Sequence, residues 1–155
     1  GDTMLTNLYL AYESLSKGLK CLLEDMEAEY SAALKHAGGR RNVMNATRFD
    51  VANLDRADES FCHPIIRKHP ETGHKALYIS SGHLLRFKDM RVDESKPLLD
   101  FLKNHATQPD FTCRVKYRKG TLVLWDNRCT QHRALNDYHG ERRVMHRLTI
   151  GATRF

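Results

Sequence analysis

The chain has 155 residues, of which 41% are hydrophobic and 28% charged, proportions typical of one globular domain. No apolar run approaches the roughly 18 residues that span a bilayer, and the first residues lack a signal peptide, so we expect a cytoplasmic protein with no membrane partner. The net charge of +6 is consistent with nucleic-acid binding, but the basic residues are scattered and no ladder of aromatic residues accompanies them. We therefore expect no nucleic-acid partner, and a site for a small anion accounts for part of the charge equally well.

Two short helices are predicted at the start of the chain. Residues 7–14 carry apolar side chains at the i, i+3, i+4, i+7 spacing of one helix face. Ser16 can cap a second helix, in which the same spacing recurs. The two stripes, both expected in the core, are Leu8, Ala11, Tyr12 and Leu15, then Leu19, Leu22, Leu23 and Met26.

Residues 36–62 show no apolar periodicity. The stretch contains Gly38-Gly39, and its four arginines balance four acidic residues. A polar segment of this length inside a domain is usually a binding loop or a lid. The sequence therefore predicts a mobile loop or lid over residues 36–62.

A hairpin is predicted next. Residues 64–68 and 76–80 have the composition of strands, and they flank the turn His69-Pro70-Glu71-Thr72-Gly73. The proline and the glycine of this turn favour reversal of the chain.

A longer helix is predicted over residues 93–105. Asp93 is its expected cap, and Pro97 is placed in the first turn, where a missing N–H costs nothing. Its core face is predicted to carry Leu98, Leu99, Phe101 and Leu102.

The last third of the chain predicts strands. Residues 112–118 alternate, with Cys113, Val115 and Tyr117 on the buried side, and Lys119-Gly120 turns the chain. Residues 121–125 are almost continuously apolar, which is typical of a strand covered on both faces. Residues 143–150 alternate again. Helices combined with antiparallel strands favour an α+β fold or a double-sheet jelly roll.

The predicted strand 143–150 separates two kinds of side chain, because residues two apart share a face. Val144, His146, Leu148 and Ile150 form an apolar face, expected to pack against helices. Arg143 and Arg147 share the other face, about 13 Å apart. Guanidinium groups inside a barrel need anionic partners, which structural carboxylates or ligand carboxylates could equally provide.

The four cysteines show no C-x-x-C pair, and their spacing suits neither a zinc site nor a disulfide framework. The sequence predicts buried, reduced thiols, as in most cytosolic proteins. The residues are Cys21, Cys62, Cys113 and Cys129.

One specific group of motifs runs from Trp125-Asp126-Asn127-Arg128 to His132, then through Asp137-Tyr138 to residues 142–147. In this region the chain resembles the taurine dioxygenase family of Fe(II)- and 2-oxoglutarate-dependent oxygenases. Weaker matches keep the family's order over nearly the whole chain, at Gly1-Asp2-Thr3, Ala11-Tyr12-Glu13, His63-Pro64, residues 69–73, Asp100-Phe101-Leu102 and His105-Ala106. The resemblance implies a partial double-stranded β-helix, or jelly roll, with flanking helices, as in clavaminate synthase-like proteins.

The resemblance also implies roles for individual residues. A lone histidine is by itself more often a structural residue than a ligand, but by this likeness His132 would be the distal histidine of a two-histidine, one-carboxylate iron site. Arg143, helped by the Thr3 hydroxyl, would bind the distal carboxylate of 2-oxoglutarate. Arg147 would reach the anionic end of the substrate. The implied reaction uses Fe(II), O₂ and 2-oxoglutarate as cosubstrate to hydroxylate a small anionic organic compound.

The sequence departs from the family pattern in two places. His83 stands where family members commonly carry an aromatic residue, so it is either a substrate-binding residue or a histidine exposed in a loop. The family's first His-x-Asp pair lies upstream of the segment matched by residues 1–3. His69-Pro70-Glu71 and His139-Gly140-Glu141 resemble such a pair, but both are expected to be chance surface residues.

The missing pair has consequences for activity and assembly. We expect residues 1–155 to form a single, incomplete catalytic domain with little or no turnover alone. An open sheet edge would favour pairing with another chain, so a homo-oligomer is expected. The alternative is a non-enzymatic anion-binding or assembly module on the same scaffold.

Overall fold

The computed structural model describes residues 1–31, 60–80 and 82–151. These residues form antiparallel sheets with helices packed against them, which confirms the α+β class. No helix in the described ranges is long and apolar enough to cross a membrane. Most of the predicted lid, residues 36–59, lies outside the described residues. Its last part, residues 60–62, is not a loop but belongs to a strand.

Both N-terminal helices form where they were predicted. Helix α1 spans Leu8–Glu13, and the Asn7 side chain caps it by accepting hydrogen bonds from the backbone N–H groups of Tyr9 and Leu10 at 3.0 and 3.2 Å. Helix α2 spans Lys17–Leu23 and is capped in the same way by Ser16. The predicted core stripe of α2 is wrong at Leu22, which faces solvent because the short helix buries only one edge.

Two three-stranded antiparallel sheets organise the described chain. The first sheet has the order β7-β1-β8, with β1 at Thr3–Asn7, β7 at Thr112–Val115 and β8 at Thr130–Ala134. The second sheet has the order β3-β2-β6. Its strands are β2 at Glu27–Ser31, β3 at Ser60–Pro64 and β6 at Leu84–Phe87.

The predicted hairpin is present, and in sequence it lies between β3 and β6 of the second sheet. Strands β4 (Ile66–Lys68) and β5 (Lys75–Leu77) pair antiparallel. The turn depends on Gly73, whose φ of 73° lies in the left-handed region that side chains with a Cβ rarely adopt.

Helix α3 spans Val92–Ala106, one residue longer than predicted at each end. Arg91 is its N-cap residue rather than Asp93, and the Glu94 carboxylate accepts the Arg91 N–H at 2.8 Å. The earlier start places Pro97 beyond the first turn, contrary to the prediction. Phe101 is exposed, so its assignment to the core face was also wrong.

The core lies where α1 packs against β5 and α3, and where α3 packs against β6. Its buried side chains come from residues 8–106, as the burial pattern of the described ranges shows. Ser95 is fully buried among them, and its hydroxyl accepts the Phe87 N–H at 3.0 Å. The largest buried side chains are Phe87, Leu8, Leu23, Ile65, Leu77, Ile79 and Leu102.

Two predicted strands of the last third do not form. Residues 121–125 and 143–150 have no regular structure, and Leu122 and Leu148 are 93% and 94% exposed. The strand predicted over residues 112–118 is shorter, because β7 ends at Val115. The predicted burial is wrong at Cys113, which is exposed, whereas Val115 and Tyr117 are half-buried between exposed neighbours. Within the described residues no strand lies beside these segments, so their backbone groups lack the ladder that would hold them extended.

The cysteines are free thiols, but the prediction that they are buried is wrong for three of them. Cys21, Cys62 and Cys113 are exposed, and Cys129 is half-buried. The three exposed cysteines lie on edge strands or on a short helix, which the described core does not cover.

Candidate functional site

One face of the first sheet collects two of the predicted site residues. In β1, Thr3 lies opposite Ala134 of β8, and Leu5 lies opposite His132. Residues two apart in a strand, and residues directly opposite across a ladder, point to the same side of a sheet. Thr3 and His132 therefore project from the same face, although 129 positions separate them in the sequence.

Tyr117 connects Thr3 to Arg143. The Tyr117 hydroxyl donates a hydrogen bond to Thr3 Oγ1 at 3.1 Å, and Thr3 is only 5% exposed. The Arg143 guanidinium carbon lies 5.9 Å from the ring centres of both Tyr117 and Tyr138. Two aromatic rings thus flank the guanidinium, which favours a planar cation at this position.

Arg143 is half-buried and retains hydrogen-bonding capacity. Its Nε donates to the Gly1 carbonyl oxygen at 3.1 Å, and it makes no ion pair with any described residue. A Cβ on Gly1 would lie 2.5 Å from the Arg143 side chain, so a larger residue at position 1 would require that side chain to shift. Its Nη groups make no hydrogen bond with a described residue.

An ion-pair network ties the start of β1 to the segment that carries Tyr138. Arg114 donates from Nε to the Asp2 carboxylate at 2.6 Å and also bonds the Asp137 carboxylate. The backbone N–H of Asp2 donates to Asp137 Oδ1 at 3.0 Å, and this bond lowers the pKa of the Asp137 carboxyl. Arg143 and its aromatic neighbours are consequently held against β1.

His132 is exposed on β8 and has Trp125 as an aromatic neighbour. The two ring centres lie 5.0 Å apart, with the ring planes inclined by 49°. Trp125 Nε1 donates to Asn127 Oδ1 at 3.0 Å, which orients the indole.

The other two predicted site residues, Arg147 and His83, lie outside the strands of this sheet. Arg147 is exposed in the irregular segment 143–150, so the shared strand face predicted for Arg143 and Arg147 does not exist. His83 is half-buried at the start of β6 in the second sheet, and its carbonyl oxygen accepts the Ser31 N–H at 2.8 Å.

A second cluster, which we call the polar clamp, consists of His69, Glu71, Asp126 and Arg128. His69 is 6% exposed, and its Nε2 lies 3.1 Å from Asp126 Oδ2. Arg128 Nε lies 2.9 and 3.0 Å from the two Asp126 oxygens, and its Nη1 donates to Glu71 at 3.1 Å. The Arg128 guanidinium holds the pKa of the Asp126 carboxyl well below its usual range, although partial burial acts in the opposite direction.

The sequence interpretation missed the polar clamp. It placed His69-Pro70-Glu71 on the surface by chance, whereas His69 is buried and bonded to a residue 57 positions away. One sequence feature could have indicated the polar clamp. The Pro/Gly turn and the Asp-Asn-Arg stretch each carry charged side chains at a tight turn, where side chains commonly form hydrogen bonds.

We tested whether the described residues could hold a metal. One group of three potential ligands lies within 4.8 Å, namely His69, Asp126 and Cys129. His69 Nδ1 accepts the backbone N–H groups of Glu71 and Thr72, so the ring proton lies on Nε2, the atom that faces Asp126. A metal would have to displace that proton and compete with the Arg128 guanidinium, so this group does not fit a cation.

The described residues do not fit an iron centre of two histidines and one carboxylate either. His132 belongs to no group of three potential ligands in the described ranges. They provide one histidine, His132, on the sheet face that also carries Thr3.

Thr3, Tyr117, Tyr138 and Arg143 thus form a basic, aromatic cluster next to the sheet face that carries His132. The chain belongs to the taurine catabolism dioxygenase TauD, TfdA family, whose sequence profile matches residues 1–149. This finding confirms the resemblance inferred from the motifs.

Several curated proteins are similar to this chain. It is 35% identical over 158 residues to an alkylsulfatase of Acinetobacter baylyi, covering 97% of this chain and 47% of that protein. It is 33% identical to an alpha-ketoglutarate-dependent 2,4-dichlorophenoxyacetate dioxygenase of Cupriavidus pinatubonensis, covering 96% of this chain and 50% of that protein. The chain thus spans about half the length of the curated relatives it matches.

Several solved structures are also similar to this chain. A taurine dioxygenase from Burkholderia xenovorans superposes with a TM-score of 0.66 at 34% identity, covering 84% of this chain and 40% of that one. AAD-2, solved with Mn(II) and N-oxalylglycine, superposes with a TM-score of 0.66 at 30% identity, covering 86% of this chain and 50% of that one.

Proposed function

We propose that this chain forms the 2-oxoglutarate-binding part of an Fe(II)- and 2-oxoglutarate-dependent dioxygenase that hydroxylates a small anionic organic substrate. The observation that carries the proposal is the placement of Arg143, Thr3 and Tyr117 beside the sheet face that bears His132. Relatives named alpha-ketoglutarate-dependent dioxygenases support it.

Each residue of this face has a defined task in the proposal. The Arg143 guanidinium binds the distal carboxylate through its remaining donors, since a planar fork matches a carboxylate. Tyr117 donates to Thr3, so the Thr3 hydroxyl proton is left to donate to the same carboxylate. The rings of Tyr117 and Tyr138 exclude water and strengthen the ion pair.

In this proposal His132 would supply one ligand to Fe(II), and residues other than those described would supply the rest. Bound iron would provide the activation of O₂, and the protein would hold substrate and cosubstrate next to it. Arg147 and His83 are proposed to contact the anionic substrate, one from segment 143–150 and the other from the start of β6.

We further propose that the exposed apolar segments complete a jelly roll. Residues 121–125 and 143–150 have strand-like composition, and they lie exposed within the described structure. Strands added beside them would pair their backbone groups and bury their apolar side chains. Because the described residues offer a single candidate iron ligand on this face, the chain alone is expected to have little or no turnover. Succinate formed from 2-oxoglutarate by this chain with Fe(II) would contradict that expectation.

The proposal is tested by calorimetry of 2-oxoglutarate or N-oxalylglycine binding to the chain. Arg143→Gln should weaken binding roughly tenfold to a hundredfold, the equivalent of a lost hydrogen-bonded charge pair. Arg142→Gln is the matched control, because Arg142 is an exposed neighbour with no contact to this site. Equal affinities for both variants would rule out the assigned role of Arg143.

A non-enzymatic anion-binding module is the second candidate, and the incomplete metal ligand set of the described residues favours it. The same calorimetry separates the two. Affinity for 2-oxoglutarate that rises with Fe(II) supports the oxygenase, whereas anion binding independent of metal supports the module.

A further inference from the structure

Asp137 is bound to the reverse side of the first sheet. Met4 lies opposite Arg114 in the pairing of β1 with β7. Because side chains alternate along a strand, Arg114 projects from the face opposite to that of Thr3. From there it bonds the Asp137 carboxylate, which also accepts the Asp2 N–H at 3.0 Å. Asp137 thus ties the segment after β8 to the back of the sheet, away from the face that carries the candidate site.

We propose that Asp137 is a positioning residue that holds Tyr138 against Arg143. Arg114 is its anchor, and the consequence is that both Nη groups of the Arg143 guanidinium face a carboxylate ligand together. The identity of that carboxylate rests on the proposed function, whereas the effect of Asp137 on Arg143 does not. Asp137 itself touches no ligand and acts through Tyr138.

Asp137 is the attachment point of its segment. Among the described residues, every hydrogen bond that joins residues 136–141 to the rest of the chain involves Asp137. Within the segment, the Glu141 N–H donates to the Tyr138 carbonyl oxygen at 2.8 Å. Loss of the Asp137 side chain would therefore remove every described hydrogen bond between this segment and the sheet.

A tight turn brings the chain back from Tyr138 to Arg143. Its central residues, His139 and Gly140, have φ values of 34° and 92°. Two consecutive positive φ values are typical of the type I′ turn, which joins antiparallel chain segments. The Arg143 guanidinium carbon returns to 5.9 Å from the Tyr138 ring centre. The position of Arg143 thus depends on where the turn starts, and Asp137 fixes that start.

The contacts of Arg143 decide which of its edges a ligand can use. The Nε–H donates to the Gly1 carbonyl oxygen at 3.1 Å, so the Nε edge is occupied. A carboxylate would therefore bind end-on, across the two Nη groups. A Cβ on Gly1 would lie 2.7 Å from Tyr138 Cδ1, so the Gly1 backbone packs against this ring as well as against Arg143. Tyr138 consequently limits the directions in which the guanidinium can point.

The orientation of Arg143 affects affinity because a long side chain loses rotamer freedom when it binds a ligand. Holding the side chain in its bound orientation beforehand reduces that cost. Only molecules with Arg143 correctly placed bind the ligand, so the apparent affinity falls with the fraction that is correctly placed. We therefore expect Asp137→Asn to weaken the binding of N-oxalylglycine about threefold to thirtyfold in calorimetry.

The Arg143 Nε–H group reports on the same contact without a ligand. Nearby aromatic rings shift the resonance of such a proton, and a hydrogen-bonded Nε–H exchanges slowly with water. In a proton–nitrogen NMR correlation spectrum, the peak that is missing from Arg143→Lys is the Arg143 peak. We expect Asp137→Asn to change the shift of this peak and to speed its exchange with water.

Glu141→Gln is the matched control, since it removes the same charge from an exposed side chain of the same turn. It should leave the Arg143 peak and the affinity unchanged. Arg114→Gln should reproduce the effects of Asp137→Asn, and the double variant should lose little more affinity than either, because the two residues act as a unit. A merely structural role for Asp137 would lower the free energy of unfolding but leave the Arg143 peak of the folded variant unchanged.

The proposal is overturned if folded Asp137→Asn or folded Arg114→Gln keeps the wild-type Arg143 peak, or if Glu141→Gln changes that peak as much. It is also overturned if Asp137→Asn binds N-oxalylglycine as tightly as wild type does. Should one of the two network variants fail to fold, the other decides by the same measurements.

The positioning role and the proposed function fail separately. If Arg143→Gln binds N-oxalylglycine as wild type does, the proposed function is wrong, and the Arg143 peak still decides the positioning role. If Arg143→Gln weakens binding but Asp137→Asn changes neither the peak nor the affinity, the positioning role alone is wrong.

Discussion

Apolar side chains in strand-like segments differ in exposure between the first two-thirds of the described chain and its last third. In residues 1–106, strands such as β5 bury Ala76 and Leu77 beneath α1. In residues 112–151, Leu122 and Leu148 have similar strand-like neighbours in sequence but are almost fully exposed. A strand-like sequence therefore does not by itself form a strand.

Strand β8 shows what decides the outcome. Residues 130–134 lie in the same last third, yet they form a regular strand because β1 pairs with all five of them. Segments 121–125 and 143–150 have no partner strand among the described residues. Pairing of backbone N–H and C=O groups is thus what separates the two behaviours.

Among the tests of this comparison, the largest change in the free energy of unfolding is expected from a cavity in the core. Leu102→Ala, at a fully buried site of α3, should lower the free energy of unfolding by about 2–5 kcal/mol, because transfer and cavity terms add. Leu148→Ala is the matched control at a 94% exposed site and should change it by less than about 0.5 kcal/mol. Urea unfolding measures both, and equal losses would show that the exposed segment packs in solution.

A smaller effect is expected at the polar clamp, where the two regions meet. Asp126→Asn should cost about 1–3 kcal/mol at neutral pH, since the Arg128 fork loses its charged acceptor. The folded pKa of Asp126 is depressed, so its contribution is complete above the unfolded value near 4 and is lost as the pH falls through the folded value.

Urea unfolding of wild type and Asp126→Asn at several pH values checks this sign. The difference between them should be constant at neutral pH and shrink in acid. A difference that grows on acidification would contradict the ion-pair assignment.

The smallest effect on stability is expected at the exposed apolar segment. Replacing Leu122 and Leu124 together by serine should leave the free energy of unfolding unchanged and reduce self-association, because exposed apolar patches mediate association. Sedimentation analysis measures the association, and Leu10→Ser on the exposed side of α1 is the control. Unaltered association would show that these two leucines do not mediate contact between copies of the chain.

Local features of the fold were predictable from the sequence, and features that depend on a distant partner were not. Asn7 and Ser16 cap the helices through side-chain bonds that span two or three residues, and Gly73 closes the hairpin within five residues. The exposure of Leu122 could not be read from its neighbours, because burial depends on which strand lies alongside.

The candidate site was likewise predictable from the sequence only in part. The motifs around His132 and Arg143 indicated the family, which the profile match over residues 1–149 confirms. The register of β1 against β8, which puts Thr3 and His132 on one face, and the aromatic neighbours of Arg143 came only from the folded chain. The roles assigned to these residues stay predictions.

The sequence by itself determined the family, the capped helices, the hairpin turn and the residue types that can bind a carboxylate, since these depend on side-chain chemistry over a few positions. Only the tertiary structure decided that His69 is buried against Asp126 and that segment 143–150 lies open. Both outcomes depend on contacts between residues far apart in the chain, and short-range sequence patterns do not specify which distant groups will meet.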